Sequence, residues 1–173
     1  NKQVEETMAK AEVSVKDNSL IYPEETHFKS LRQITFGGDN AEAYWSFDDK
    51  QLIFQSNNKA WGMECDQMFL MNADDTFSDK KAKMISTGLG RTTCAYFLPG
   101  NKSWVYGSTH LGGPECPPAP LRREGKYVWP IYKSYDIFVA DLDGNITAQL
   151  TNDPGYDAEA TVSPKGDKIV FTS

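Results

Sequence analysis

The chain alternates short apolar runs with polar turns, and the same alternation recurs along most of its length. Each recurrence has a hydroxyl residue, a Gly-containing loop, a short apolar run, a turn and a second apolar run that ends in Ser; it is found at 35–56, 86–108 and 151–173. The turns contain Asp, Pro or Gly, which favour tight connections between strands. Each second run has the length and composition of a buried strand. The pattern therefore predicts three equivalent β-hairpins.

Two further matching segments, 66–74 and 135–144, lie between the predicted hairpins. Each has an apolar run followed by an Asp-rich turn. The turns lead to short strands predicted at 82–86 and 146–151. The repeating unit is then four short antiparallel strands, which is typical of a β-propeller blade. We therefore expect an all-β fold, a β-propeller of four-stranded antiparallel blades.

The predicted repeats do not complete a ring. Residues 31–35 are expected to form the outermost strand of a blade whose inner strands are missing, and the chain stops after the second strand of the third repeat. This amounts to about two and a half blades, whereas a closed propeller has roughly four to eight. We expect a missing part of the same protein to supply the remaining blades. Residues 1–30 are interpreted as an N-terminal arm or linker, and 31–173 as the partial propeller.

An inserted loop at 110–134 explains why the second and third hairpins are farther apart than the first and second. The segment is rich in Gly and Pro and also contains Tyr127, Trp129 and Tyr132. Long loops without strands or helices are usually functional or disordered. The three rings can pack against the fold, which favours an ordered loop.

The repeat resembles that of TolB-like propellers, which usually reads Leu-Thr, a spacer, Ser-Pro-Asp-Gly and an apolar strand. The residues that carry the resemblance are 31–35, 43–49 and 52–54, and again 149–151 and 160–171. The match is degenerate, because Lys165 replaces the Asp of the third repeat. The resemblance implies a propeller of the periplasm or cell envelope that binds protein partners. The same repeat also forms the non-catalytic domain of some exported peptidases and amidohydrolases.

Charge and the length of the apolar runs argue against a nucleic-acid partner and against a membrane-spanning segment. The chain is 39% hydrophobic and 24% charged, as soluble globular proteins are. Its net charge is −6 and it has no basic stripe, so we expect no nucleic-acid partner. No apolar run reaches the roughly 18 to 20 residues of a membrane span, so we also expect no transmembrane segment.

Candidate binding residues fall on one rim of the predicted blades. In an antiparallel blade, the loop that enters the first strand and the loop between the second and third strands lie on the same side. When the repeats are aligned on Ser46 and Ser163, Glu42 matches Glu159. The ligand-binding candidates at this channel mouth are Glu42, Arg91, His110, Trp129, Asp157 and Glu159.

The carboxylates on this rim have two interpretations. As metal ligands, Glu42, Asp157 and Glu159 would suit a hard cation such as calcium. Alternatively, the two glutamates accept hydrogen bonds from backbone amides and hold adjacent blades together. Apart from calcium, no cofactor is expected.

The three cysteines, Cys65, Cys94 and Cys116, allow three disulfide pairings. The tight Cys-x-x-Cys spacing common in zinc sites is absent. A single disulfide on the rim, between Cys65 and Cys94, is the favoured hypothesis and fits an oxidising compartment. The alternative is that these thiols are buried and reduced.

Motifs of common hydrolases and nucleotide-binding enzymes are missing from the chain. It contains no Gly-x-Ser-x-Gly elbow, no His-Glu-x-x-His and no Walker loop. We therefore expect a non-catalytic binding scaffold of the bacterial cell envelope, periplasmic or secreted, that presents its loop rim to a protein or glycan partner. The alternative is the propeller domain of a larger exported peptidase or amidohydrolase, where it gates substrate access.

Overall fold

The computed structural model describes residues 20–76, 81–119, 124–126 and 128–173. The chain divides into two compact units, Asn1–Ile34 and Thr35–Ser173. In the first unit, residues 20–34 form turns and irregular segments without a strand. Most of the predicted arm, residues 1–19, lies outside the described residues, as does Tyr127 of the inserted loop.

The second unit is all-β in its described residues. Its strands are β1 (Asp39–Trp45), β2 (Gln51–Asn57), β3 (Gln67–Asn72), β4 (Lys83–Met84), β5 (Thr92–Phe97), β6 (Ser103–Ser108), β7 (Ser134–Asp141), β8 (Ile146–Gln149), β9 (Gly155–Tyr156), β10 (Ala158–Val162) and β11 (Ile169–Thr172). Two short 3-10 helices, Lys59–Trp61 and His110–Gly112, lie in the connections that follow β2 and β6.

The strands form two four-stranded antiparallel meanders and one hairpin. The first sheet has the order β1-β2-β3-β4 and the second the order β5-β6-β7-β8, while β10 pairs with β11. The short strand β9 adds a parallel pair to β7. The all-β class, the three hairpins and the four-stranded repeat predicted from the sequence are therefore confirmed. The sheets do not close on themselves.

The second sheet lies between the first sheet and the third hairpin. One core cluster joins the facing sides of the two sheets and contains Ile53, Met68, Leu70, Ile85, Ala95, Phe97, Trp104, Tyr106, Phe138 and Ala140. A second cluster joins Val105 and Ile137 to Ala160 of β10. Successive side chains of a strand point to opposite faces, so Trp104 and Tyr106 face one neighbour while Val105 faces the other. Each large side chain buried this way contributes about 1.5–3 kcal/mol.

The prediction of an outer strand at 31–35 is wrong. Residues 31–34 have no regular structure, and Thr35 makes only an isolated bridge. A strand requires several successive residues in ladder pairing, and the bridge here is confined to Thr35.

Candidate functional site

All three hairpins carry the same irregularity in their first strand. The pairing register shifts by one residue between Ala41 and Tyr44 in β1, between Thr93 and Tyr96 in β5, and between Ala158 and Thr161 in β10. Each shift is a β-bulge, in which two residues of one strand face a single residue of its partner. Bulges re-aim side chains and interrupt an edge strand, so their repetition gives the three hairpins a common inner surface.

A non-glycine residue adopts the left-handed conformation at each bulge. These residues are Glu42 (φ 48°), Cys94 (φ 50°) and Glu159 (φ 60°). For an L-residue this conformation costs about 1–2 kcal/mol, so the strand pairing on either side must hold it. An alanine follows in every case, at 43, 95 and 160. The repeat that the sequence indicated is thus a repeat of backbone conformation.

The three bulge residues line one cavity, which we call the bulge cavity. Its volume is about 420 Å³. It is lined by Glu42, Tyr44, Cys94, Ala95, Tyr96, Glu159, Ala160 and Thr161. The structure therefore brings the predicted pair Glu42 and Glu159 together and adds the thiol of the middle repeat.

Hydroxyl groups of their own hairpins hold the two glutamates. Tyr44 donates its hydroxyl to Glu42 Oε2 at 2.6 Å, and Thr172 Oγ1 donates to Glu159 Oε2 at 2.8 Å. The bond to Glu42 raises the pKa of Tyr44 to about 12. Neither glutamate pairs with a basic side chain within the described ranges. Within the described part of the chain, no backbone amide donates to either carboxylate, so the interpretation that they accept from neighbouring amides gains no support.

The Cys94 thiol is held in its neutral form. Burial raises its pKa to about 11, and the nearby Glu42 and Glu159 carboxylates act in the same direction. The bulge cavity thus combines two carboxylates, a protonated thiol and two phenol rings. Such a surface can accept hydrogen bonds or receive a cationic group.

A second cavity, which we call the Trp129 cavity, lies beside the inserted loop. Its volume is about 340 Å³. It is lined by Asp39, Ala41, Gln55, Asn57, Asp66, Arg91, Ala119, Val128, Trp129 and Pro130. Two predicted binding residues, Arg91 and Trp129, therefore share this cavity and are absent from the lining of the bulge cavity.

An ion pair fixes the position of Arg91 in the Trp129 cavity. Its Nη1 lies 2.6 Å from Asp66 Oδ2, and the two side chains are only 15% and 13% exposed. The Arg91 Nε and the Asn57 Oδ1 are buried and have no hydrogen-bond partner among the described residues. Buried polar atoms of native proteins nearly always have a partner, whether protein, water or ligand. In this arrangement, however, neither atom has the exposed surface that contact with a bound molecule requires.

His110 and Asp157 lie outside both cavities. His110 Nδ1 is 3.0 Å from Ser108 Oγ, and its ring packs on Phe138 with 4.5 Å between the centroids. Burial lowers the pKa of His110, and the nearby Asp136 opposes this shift. Asp157 is 4% exposed, and its backbone N–H donates to Tyr135. Asp157 is therefore part of the packed interior, whereas His110 is only partly buried.

Ser108, His110 and Asp136 have the residue types of a nucleophilic triad but not its accessibility. Ser108 has no exposed surface, and its Oγ also lies 3.2 Å from Thr92 Oγ1. The hydroxyl of a catalytic serine must be exposed to the substrate and must have a base positioned beside it. Ser108 is therefore a packed residue at the end of β6, hydrogen-bonded to Thr92 and His110.

The metal hypothesis gains no support from the geometry. Within the part of the chain that the structure describes, no group of three or more His, Cys, Asp or Glu residues is placed to hold a metal ion. Glu42 and Glu159 share a cavity, whereas Asp157 is buried elsewhere. The three carboxylates proposed as calcium ligands therefore do not form one site.

The predicted disulfide is present, but the predicted pairing is wrong. Cys65 bonds to Cys116, with 5.8 Å between their Cα atoms, and Cys94 is free. The disulfide holds the inserted loop on the loop between β2 and β3. The inserted loop also contacts the β4–β5 connection, where Gly90 donates its backbone N–H to the Pro114 carbonyl at 2.9 Å. Cys94 instead occupies a bulge, so its thiol faces the bulge cavity.

Sequence reasoning missed several lining residues of the two cavities. They are Tyr44, Tyr96, Asp39, Gln55, Asn57 and Asp66. A signal existed for Gln55 and Asn57, which are polar positions that follow the apolar run of β2. Their relation to Arg91 and Trp129 depends on how the sheets stack, which the sequence pattern does not specify.

Comparison of the chain with protein-family models and with curated proteins finds no match. None of the helices in the described ranges combines the length and the apolar character needed to cross a bilayer.

Proposed function

We propose that this chain is part of a β-propeller that serves as a non-catalytic binding scaffold of the cell envelope and presents its loop rim to a protein or glycan partner. The observation that carries the proposal is the shared bulge cavity. Three hairpins that are equivalent in sequence place equivalent residues, Glu42, Cys94 and Glu159, around one space. This is the relation expected for innermost strands of successive blades around a common channel.

The stacking of the sheets supports the propeller arrangement. Two antiparallel four-stranded sheets and a third hairpin pack face against face through two core clusters. The first strand of each repeat is an edge strand, and each of the three edges is interrupted by the same bulge. The bulge and its charged or polar residue disfavour pairing of these edge strands with another chain. The surface of the edge strands therefore remains free to bind a ligand.

Covalent and ionic contacts join the loops of the rim from one repeat to the next. The Cys65–Cys116 disulfide ties the loop after β2 to the inserted loop, and the Arg91–Asp66 ion pair ties the β4–β5 connection to the same region. Loops that are held rigid lose less conformational entropy on binding and therefore bind more tightly. The disulfide also supports an oxidising compartment, such as the periplasm or the extracellular space.

Site-specific photo-crosslinking in the cells that make the protein tests the proposal. A photoreactive residue at Glu115 stands on the rim, whereas one at Lys165 stands in the β10–β11 turn at the opposite end, and both positions are exposed. We expect one discrete partner to crosslink from position 115 and none from position 165. Binding of the purified protein to a glycan array tests whether the partner is a glycan.

Two results would overturn the scaffold proposal. The first is equal crosslinking from positions 115 and 165, because a partner would then have no preference for the rim. The second is the absence of both a rim crosslink and any bound glycan.

A further inference from the structure

We propose that Asn145, in the turn between β7 and β8, is a site of N-linked glycosylation whose donor is an oligosaccharide carried on a polyprenyl pyrophosphate. The inference goes beyond the binding role and shares with it only the export of the chain. It is carried by an Asn-x-Thr sequence in an exposed turn at the end of the sheet opposite the rim.

Two Asn-x-Ser/Thr sequences occur in the chain, and both begin in a hairpin turn. They are Asn101-Lys102-Ser103, between β5 and β6, and Asn145-Ile146-Thr147, between β7 and β8. An Asn-x-Ser/Thr sequence without Pro at its centre is the acceptor of N-linked glycans in exported proteins. The bacterial form of this signal commonly has an acidic residue two positions before the asparagine. Asp143 occupies that position before Asn145, whereas Pro99 occupies it before Asn101.

The turn that contains Asn145 is exposed and can accommodate a glycan without rearrangement. Asn145 is exposed, and the Asp143 side chain is 80% exposed. The Asp141 carboxylate accepts hydrogen bonds from the backbone N–H groups of Asp143 and Asn145 and from the Asn145 Nδ2, each at 2.9 Å. The amide of asparagine has two N–H groups, and glycosylation replaces one of them. The bond from Asn145 Nδ2 to Asp141 can therefore persist after the glycan is attached.

Asn101 provides the contrast, because its side chain joins two repeats. Its Oδ1 accepts a hydrogen bond from the backbone N–H of Phe47, which lies in the turn of the first hairpin, at 2.8 Å. Asn101 is itself only partly exposed. A glycan on its amide would have to fit beside this contact and would disturb it. Of the two asparagines, Asn145 is the one that can carry a glycan without disturbing the fold.

The Asn145 turn lies away from the rim. In an antiparallel meander, alternate connections are at the same end of the sheet. The β7–β8 turn is therefore at the opposite end from the β6–β7 connection, which contains Cys116 and its disulfide. A glycan on Asn145 leaves the rim free for a partner.

Transfer of the glycan must precede the pairing of β8 with β7. A transferase recognises the asparagine together with the Thr147 hydroxyl, but in the folded chain this hydroxyl donates to the Val139 carbonyl at 3.2 Å. The strand β8 is the outermost strand of its sheet, so only its pairing with β7 has to be absent for the sequence to be accessible. We therefore expect modification during export, before β8 joins the sheet.

The transfer is a substitution at the anomeric carbon of the donor sugar. The Asn145 Nδ2 forms a bond to this carbon as the bond from the carbon to the pyrophosphate oxygen breaks. The polyprenyl pyrophosphate leaves with the electron pair, and the nitrogen loses one proton to a base of the transferase. The step consumes no oxidant and no reductant.

Peptide mass spectrometry of the protein purified from the cells that make it tests the inference. Trypsin cleaves after lysine and arginine and so separates the two asparagines, because peptide 92–102 contains Asn101 and peptide 134–165 contains Asn145. We expect an oligosaccharide on peptide 134–165 and none on peptide 92–102.

Substitutions at Thr147 separate modification from folding. Thr147→Val removes the hydroxyl that the transferase recognises but keeps a β-branched residue in β8, whereas Thr147→Ser keeps the hydroxyl. We expect the glycan to be lost in Thr147→Val and in Asn145→Gln and to be retained in Thr147→Ser. Asn101→Gln is the matched control and should retain the glycan on peptide 134–165.

The outcomes distinguish this inference from the scaffold proposal. A wild-type peptide 134–165 without a glycan overturns the inference, as does a glycan that persists in Thr147→Val or in Asn145→Gln. Equal modification of the two peptides also overturns it, because neither the exposed turn nor Asp143 would then matter. In all these cases a rim crosslink from position 115 would still support the scaffold. A glycan on Asn145 without a rim crosslink or binding to the glycan array supports the modification and overturns the scaffold.

Discussion

Tyr44 donates a 2.6 Å hydrogen bond to the Glu42 carboxylate, and the two residues stand on either side of Ala43 in the bulge of β1. The bond joins two side chains of the bulge, in which Glu42 adopts the left-handed conformation. A phenol whose pKa is raised to about 12 remains a donor throughout the physiological range. The bulge is therefore stabilised by the residues that form its cavity.

The bulge of β10 allows a direct test of the backbone conformation. Glu159→Gly and Glu159→Val both remove the carboxylate that accepts from Thr172. Glycine adopts the left-handed conformation freely, whereas a β-branched residue does not. We expect Glu159→Val to lower the free energy of unfolding by about 2 kcal/mol more than Glu159→Gly does, measured by urea denaturation. Equal stabilities would show that the bulge is not held in this conformation.

The Cys94 thiol should react slowly with alkylating agents. Its pKa rises from the ordinary value of 9.0 to about 11, so at pH 8 the reactive thiolate is about 100-fold scarcer than in an unperturbed thiol. The alkylation rate measured with iodoacetamide should increase about tenfold per pH unit up to about pH 11. The same protein in denaturant is the control, and an equal rate in the folded and unfolded forms would contradict the burial.

The same shift has a consequence for stability at high pH. A group whose pKa is higher in the folded than in the unfolded state contributes stability that is complete below the unfolded value and is lost as the pH rises through the folded value. For Cys94 this window runs from about pH 9 to about 11. Cys94→Ala should remove this part of the alkaline loss of stability.

Reduction of the disulfide should destabilise the fold without changing its class. Cys65 and Cys116 are 51 residues apart, and closing a loop of that length typically contributes about 2–4 kcal/mol. A reducing agent should therefore lower the melting temperature of the wild type. The double variant with serine at both positions should already melt at the lower temperature and respond to no reductant. A further loss in that variant would mean that the reductant acts elsewhere.

Two glycines in hairpin turns should differ in their tolerance of alanine. Gly144 (φ 88°) and Gly100 (φ 93°) share the positive φ, but a Cβ at 144 would come within 2.8 Å of the Ile85 carbonyl oxygen, whereas nothing lies within 4 Å at 100. Gly144→Ala should cost at least about 1 kcal/mol more than Gly100→Ala, because it adds a backbone clash to the conformational cost. Urea denaturation of the two variants measures the difference.

The Arg91–Asp66 pair should be strongly coupled, unlike the exposed pair Lys83–Asp143. The first pair is at most 15% exposed, while the side chains of the second are 51% and 80% exposed. Asp66→Asn should cost about 2–3 kcal/mol, because it leaves a nearly buried guanidinium without its counter-charge. Asp143→Asn should cost less than about 1 kcal/mol. A double-mutant cycle with Arg91→Met measures the coupling, and a value near zero would contradict it.

The hairpins could be predicted from the sequence because their causes are local. Turn residues at 48–49, 99–100 and 164–166 and the apolar runs beside them specify where the chain reverses and which residues are buried. The equivalence of Glu42 and Glu159 followed from the same alignment. The bulge did not, since the strands β1, β5 and β10 are too short on either side of it for the change of phase in their apolar alternation to be recognised.

The sequence by itself determined the all-β class and the four-strand repeat, because turn chemistry and strand periodicity act over a few residues. Tertiary structure alone decided that Cys65 bonds to Cys116, that Cys94 joins two glutamates in the bulge cavity, and that Arg91 and Trp129 meet in the other cavity. These relations join loops of different repeats. Their distances are set by how the sheets stack and where the inserted loop folds back, and both depend on the packing of the whole core.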